Sequence, residues 1–352
     1  MKKRQIEFDI MRILACFCVI VIHAAICGQE QLYPTNSSGY QFIKLWGVVA
    51  RWAVPVIVML SGMLILPKAD EISLYKLMTH RILRMIVVYF GWSCVYSFYN
   101  TYILGNIYAP TKFKTFFDGC FSGELHMWYI PMIIGLYLIS PILAQMLKRL
   151  DEKWLKFWII GLFIFSSVIP FLISLNIKFL STIINSFVEY MQLDFLKGWT
   201  LYFILGYYVY RHSFSKREKR IIYIMAIIAF IFTVLGTNLY SFINGETMGI
   251  LSYEYPNIIL FSFGIILWFK EMGATWKFNA RIKDIIIKIS GHTFGIYLIH
   301  VLVIKILYAI GINIQICHTI ISVPLIAIIT FGISEILIII IKRIPVAGKY
   351  LV

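Results

Sequence analysis

Apolar runs of near-membrane length recur from one end of this sequence to the other, and that recurrence leaves few folds open. About ten can be marked, at 8–27, 43–66, 82–105, 126–147, 155–174, 195–210, 219–237, 253–270, 291–310 and 318–341. Each is close to the ~20 residues an α-helix needs to cross a hydrocarbon core ~30 Å thick. Within hydrocarbon every backbone N–H and C=O must be satisfied internally, which a helix does by itself. The expected fold is all-α: a polytopic integral membrane protein with about ten transmembrane helices. No Pro/Gly/Ser-rich linker and no internal repeat divides the chain, so residues 1–352 read as a single transmembrane domain. The run at 195–210 is short, and the mixed stretch Leu175–Leu193 before it reads as a re-entrant or surface helix.

Composition agrees. Hydrophobic residues make up 60% of the chain and charged ones 14%, against about 45–50% and about 25% in soluble domains. The net charge of +15 raises nucleic acid as a partner, but its distribution argues otherwise. Lys and Arg cluster between alternate apolar runs: Lys2–Arg4, Lys68–Arg84, Lys148–Lys156, Arg211–Arg220, Lys270–Lys288 and Lys342–Lys349. The intervening connections hold few, and Gly28–Gln41 holds none. That alternation is the positive-inside pattern, which places both termini in the cytosol and Gly28–Gln41 outside. No aromatic-basic module appears, so no nucleic acid is expected, and membrane lipids are the surroundings. The first run is long enough to be retained as a span and does not read as a cleaved leader. Asn36-Ser-Ser38 matches a glycosylation sequon. The six cysteines show no paired ligand spacing, and no metal is expected.

Several ionisable groups lie inside these runs, where each costs about 2.5–3.5 kcal/mol near a helix centre on insertion scales. Arg12 and His23 share the first run. Eleven steps of roughly 100° return to within about 20°, so both lie on one face, roughly 16 Å apart along the axis. The expected orientation sets Arg12 in the inner leaflet and His23 in the outer one. Arg12 alone has a plain alternative as a snorkelling residue paired with Asp9. In the second run Arg51, Pro55 and Gly62 share a face, with Ser61 beside them. Pro55 frees the carbonyl of Arg51, and Gly62 admits a close backbone or ligand. The fourth run opens Glu124-Leu-His126-Met-Trp128-Tyr129, where an interfacial aromatic belt is the simpler reading and a Glu124–His126 pair the functional one. Tyr297 and His300 neighbour each other in the ninth run. His80, His212, His292 and His318 fall at run edges and read as structural.

Four motifs stand in order on this background: Arg12 followed by ten residues and His23, Pro55…Leu60-Ser61-Gly62, His126-Met-Trp-Tyr-Ile, and Gly295-Ile-Tyr-Leu-Ile-His300. Across nearly its whole length the chain resembles the acyltransferase 3 family of bacterial integral-membrane acyltransferases. It looks most similar to the branch containing the enterobacterial common antigen O-acetyltransferase and the membrane domain of vancomycin-resistance serine racemases. The resemblance implies transfer of an acyl group, usually acetyl, from cytosolic acetyl-CoA to an envelope glycan or lipid-linked saccharide, in a bacterial plasma membrane. Arg12 and His23 occupy the family's arginine–histidine positions. On this reading Arg12, with Ser61 and Gly62, meets coenzyme A. His23 acts as base or nucleophile, Arg51 stabilises an oxyanion, and Tyr297 or His300 carries protons. His126, Trp128 and Tyr129 would meet the acceptor, and Arg81, Arg84 and Arg211–Arg220 would attract the nucleotide. Val56-Ile-Val-Met59 stands where the family usually has Phe-Phe, and Met63 where it often has an aromatic residue, departures that would reshape the acceptor pocket, so the resemblance carries over the reaction and not the substrate. The rival expectation is a transporter of a small polar solute such as serine, with the buried charges lining a path.

Overall fold

The computed structural model describes residues 4–33, 37–105, 111–174, 198–244, 250–345 and 348. The stretch Leu175–Leu193, Asn36 of the sequon and Lys349 lie outside the described residues. Among those described there is no strand. The principal helices are α1 (Ile6–Leu32), α2 (Ser38–Ala50), α3 (Ala53–Ile65), α4 (Leu83–Phe98), α5 (Lys112–Ser122), α6 (Tyr129–Arg149) and α7 (Glu152–Phe163). They continue as α8 (Trp199–Arg211), α9 (Lys216–Asn244), α10 (Pro256–Gly273), α11 (Ala280–Ser290), α12 (Thr293–Ala309) and α13 (Thr319–Arg343).

Among the described residues, seven helical stretches are long and apolar enough to cross a membrane, and an eighth if α11 and α12, bent by 59°, form one broken span. The sequence expectation of an all-α membrane bundle holds, with about ten as an approximate count of its spans. Two of the runs it counted, 195–210 and 253–270, are α8 and α10. At 1.5 Å per residue the 13 residues of α8 cover only about 20 Å, and Thr200–Val209 are all buried. Apolarity there serves burial inside the bundle. The single long run expected at 43–66 is broken at Arg51–Trp52. Pro55 has no N–H for the carbonyl of Arg51, and the ladder restarts with Val56 N–H donating to Trp52 O at 3.0 Å.

Two apolar clusters build the core. One joins α3, α6, α7, α8 and α10, and the other joins α1, α4, α12 and α13. Helix α1 touches α2, α3, α10, α11, α12 and α13, so a residue on α1 faces neighbours from both clusters. Outward faces stay apolar: Phe157, Ile228, Leu235, Ile328 and Ile336 are exposed, as lipid contact requires.

Gly62 serves the crossing of α3 and α8. A Cβ on Gly62 would fall 1.9 Å from Phe203 O, and one on Gly206 would fall 1.8 Å from Met59 O. Of the two partners its sequence context allowed, the structure gives Gly62 a backbone. The obstruction is main chain, which no rotamer change relieves. Gly62→Ala and Gly206→Ala are each expected to lower the melting temperature in detergent clearly, since overpacking costs about 1–3 kcal/mol. A variant melting like wild type would show that these helices do not cross this closely.

Candidate active site

The lining of a partly open cavity follows helical periodicity. From α1 come Arg12, Cys16, Val19, Ile22, His23 and Ile26, and from the Arg51 corner and α3 come Arg51, Val54, Ile57 and Ser61. Steps of three and four keep each set on one face. Tyr129, Tyr137, Trp199, Tyr253, Glu254 and Tyr297 add to the wall around a cavity of about 690 Å³. Arg12 and His23 thus border one space, as their spacing implies. Ser61 lines it too, its hydroxyl donating back to Ile57 O at 2.9 Å. Gly62, expected beside Ser61 at the donor, is packed against α8 and does not line the cavity.

Three imidazoles meet at its edge. The ring centroid of His23 lies 5.1 Å from that of His300 and 5.9 Å from that of His126, and those two are 5.1 Å apart. They come from α1, from the tight turn Leu125–Trp128 and from α12. His126 and His300 are buried. Nδ1 of His300 is 2.6 Å from Tyr297 O. A carbonyl only accepts, so Nδ1 carries the proton and Nε2 is left with a lone pair. That Nε2 and both ring nitrogens of His126 are buried without a partner. Unsatisfied buried nitrogens cost about 1–3 kcal/mol each, a cost of the kind that functional sites retain. Among the described residues no group of His, Cys, Asp or Glu is arranged to hold a metal.

Helix α12 fixes the geometry. Tyr297 OH donates to His126 O at 2.6 Å, so its proton is committed and its effect on His126 is positional. The Glu124–His126 pair considered from sequence does not form. Glu124 Oε2 instead accepts from Lys305 Nζ at 2.8 Å and Asn100 Nδ2 at 2.9 Å.

The arginines differ in how much of each is free. Arg12 Nη1 donates to Asp9 Oδ1 at 3.2 Å and to Ser290 Oγ at 2.9 Å, and Ser290 donates to Asp9 at 2.7 Å. Arg4 grips the same carboxylate with two bonds of 2.8 and 2.9 Å. Arg12 is therefore both the partner of Asp9 and a lining residue. Arg51 donates from Nε to Leu251 O at 2.6 Å, and its Cζ stands 3.8 Å from the Tyr253 ring centre. Arg211, counted among the basic residues for a nucleotide, is spent on the carbonyls of Leu147 and Leu150 at 2.8 and 2.9 Å.

An aromatic wall completes the site. Trp128 lies 5.2 Å from Trp199 and 6.1 Å from Tyr253, with Trp199 5.2 Å from Tyr253. All three line the cavity, together with Tyr129. Trp199 and Tyr253 are half-buried and Trp128 is exposed, so the stack forms a wall of the cavity and also meets the surroundings. Sequence reasoning missed Trp199, Tyr253, Glu254, Tyr137 and Lys305. The short loop Ser252-Tyr-Glu254 carries no periodic signal, and Trp199 resembles any interfacial tryptophan. His80, His212, His292 and His318 each find local partners near helix ends.

Fold and site together define a polytopic helical membrane protein built around a histidine- and arginine-lined cavity. The family model described as an acyltransferase domain (Acyl_transf_3) matches residues 5–341, and the chain belongs to this acyltransferase 3 family. Among curated proteins it is similar to two from Staphylococcus aureus that carry the name "Probable poly-beta-1,6-N-acetyl-D-glucosamine export protein". The one from strain MRSA252 is 23% identical over 318 residues, covering 88% of this chain and 85% of the relative. The one from strain MSSA476 is 22% identical over 317 residues, with the same coverage of each. No solved structure matches.

Proposed function

We propose that this acyltransferase-family protein moves an acyl group, usually acetyl, from cytosolic acetyl-CoA to a hydroxyl of an envelope glycan or lipid-linked saccharide. The observation that carries the reading is the contact of His23 with His126 and His300 on a cavity that also holds Arg12 and Arg51. The acceptor oxygen attacks the thioester carbonyl while His23 takes its proton. The C–S bond then breaks and the proton leaves with the coenzyme A thiol. An Arg51 guanidinium held at Nε keeps its terminal N–H groups for the oxyanion. The volume of about 690 Å³ suits a pantetheine arm or a saccharide unit, within the roughly 300–1,000 Å³ usual for ligand pockets. Trp128, Trp199 and Tyr253 offer a sugar the flat apolar faces on which a pyranose ring stacks. Arg81, whose Cζ lies 5.9 Å from the ring of the lining Tyr137, supports the Arg12 end as the donor's entrance.

The decisive experiment follows acetyl-CoA consumption by purified protein in nanodiscs with a saccharide acceptor, and the acyl mass shift on envelope glycans with and without the gene. A transport reading is favoured by the names of the relatives. Flux of a saccharide, or of a polar solute such as serine, through proteoliposomes without acetyl-CoA consumption would replace acyl transfer.

We further propose a bacterial plasma membrane, from the family, and an orientation with both termini cytosolic. The orientation rests on the alternation of basic clusters. In cells, Ser37→Cys should react with an impermeant maleimide from outside and Ser215→Cys only after permeabilisation. Labelling of Ser215→Cys in intact cells would overturn the orientation.

A further inference from the structure

No ring nitrogen of His126 has a partner in good hydrogen-bond geometry, so the packing of its ring and the backbone turn that carries it set its aim. The turn that carries it follows Gly123, whose φ of +71° gives the chain a sharp entry that only glycine takes easily. On the far side the turn is tied by Tyr297. On the near side it is tied by a closed triangle: Lys305 Nζ donates to Glu124 Oε2 at 2.8 Å and to Asn100 Oδ1 at 2.9 Å, and Asn100 Nδ2 donates to the same Glu124 oxygen at 2.9 Å. The ion pair is largely withdrawn from solvent, with side-chain exposures of 24% and 17%. Lys305 also stands 5.8 Å from the ring centre of Tyr96, whose ring packs 5.2 Å from that of His126. Tyr297, His300 and Lys305 all belong to α12, so one rigid helix supplies a histidine and both ties on its neighbour.

We propose that Lys305, Glu124 and Asn100 form a clamp that holds His126 against His23 and His300, which makes them positioning residues of the site. An amide at the corner makes the clamp reversible in sign. Asn100 presents a donor and an acceptor, and a flip of its amide serves the pair with the charges exchanged. Lys305→Met leaves the Glu124 carboxylate without a countercharge and with only Asn100 of the triangle as partner, which draws Glu124 toward water and turns His126 with it. A misplacement near 1 Å costs on the order of 10²-fold in rate.

The test reads the ring first and turnover second. Carbethoxylation of His126 by diethyl pyrocarbonate, followed by mass spectrometry in nanodiscs, should be slow in wild type. It should rise several-fold in Lys305→Met and Glu124→Gln, and return to the slow rate in the exchanged pair Glu124→Lys/Lys305→Glu. Unchanged protection in both single variants would overturn the clamp. So would an equal rise at His212 and His292, which marks general loosening. The turnover part rests on the acyl-transfer reading: kcat should fall on the order of 10²-fold in Lys305→Met with little change in KM for acetyl-CoA, and recover in the exchanged pair. If wild type shows no turnover while the protection pattern holds, the clamp stands and acyl transfer falls.

Discussion

Replacing His23 with alanine is expected to abolish acyl transfer while leaving expression and membrane insertion intact. Of the three clustered imidazoles, His23 and His126 line the cavity and His300 lies buried behind them; His23 shares its helix face with Arg12. Removing a general base lowers rates by about 10²–10⁴-fold, equivalent to roughly 3–5 kcal/mol of transition-state stabilisation. The fold should tolerate the change, because among the described residues the His23 side chain makes ring contacts and no hydrogen bond. The assay is single-turnover transfer from labelled acetyl-CoA by purified protein. Near-normal turnover of His23→Ala would remove it from the chemistry and move the base to His300, whose Nε2 lone pair is exposed to the same cluster. Label retained on the wild-type protein before acceptor is added would make His23 a nucleophile forming an acyl-imidazole.

Arg12→Lys is expected to be nearly as damaging as Arg12→Ala. One terminal nitrogen of Arg12 is occupied by Asp9 and Ser290, and the residue also lines the cavity. An ammonium could replace one of those duties but not both, since it lacks the fixed fork. Losing a charge-assisted hydrogen bond to the donor costs about 1.5–3 kcal/mol, or roughly 10- to 150-fold in affinity for acetyl-CoA. A residue that merely snorkelled would accept lysine freely. Equal binding of acetyl-CoA by wild type, Arg12→Lys and Arg12→Ala would show that the donor does not sit on this residue. Asp9 remains gripped by Arg4 and Ser290 in each variant, so the helix end has its own support.

Helical periodicity within a single run carried a good deal of this molecule in the sequence itself. Apolar length determined that the chain is a bundle of membrane helices, and eleven steps along α1 determined that Arg12 and His23 face one space. The same reasoning put Gly62 on the Arg51 face, whereas the structure sets its neighbour Ser61 with Arg51 on the cavity wall. Such features depend only on neighbours a few residues away, so they survive whatever the rest of the chain does. What the sequence left open depends on how separate helices meet. Gly62 could have faced a ligand, but packing set it on the backbone of Phe203. Glu124 could have paired with His126, but the position of α12 gave it Lys305 and Asn100. The short run at 195–210 did not reveal that α8 is buried along Thr200–Val209, because an apolar helix buried in protein and one bathed in lipid share a composition. Most of all, His23, His126 and His300 are more than a hundred residues apart in sequence. Only the docking of α1 and α12 around the turn Leu125–Trp128 brings their rings together. Relative helix register is fixed by the packing of the whole bundle, and no local pattern encodes it.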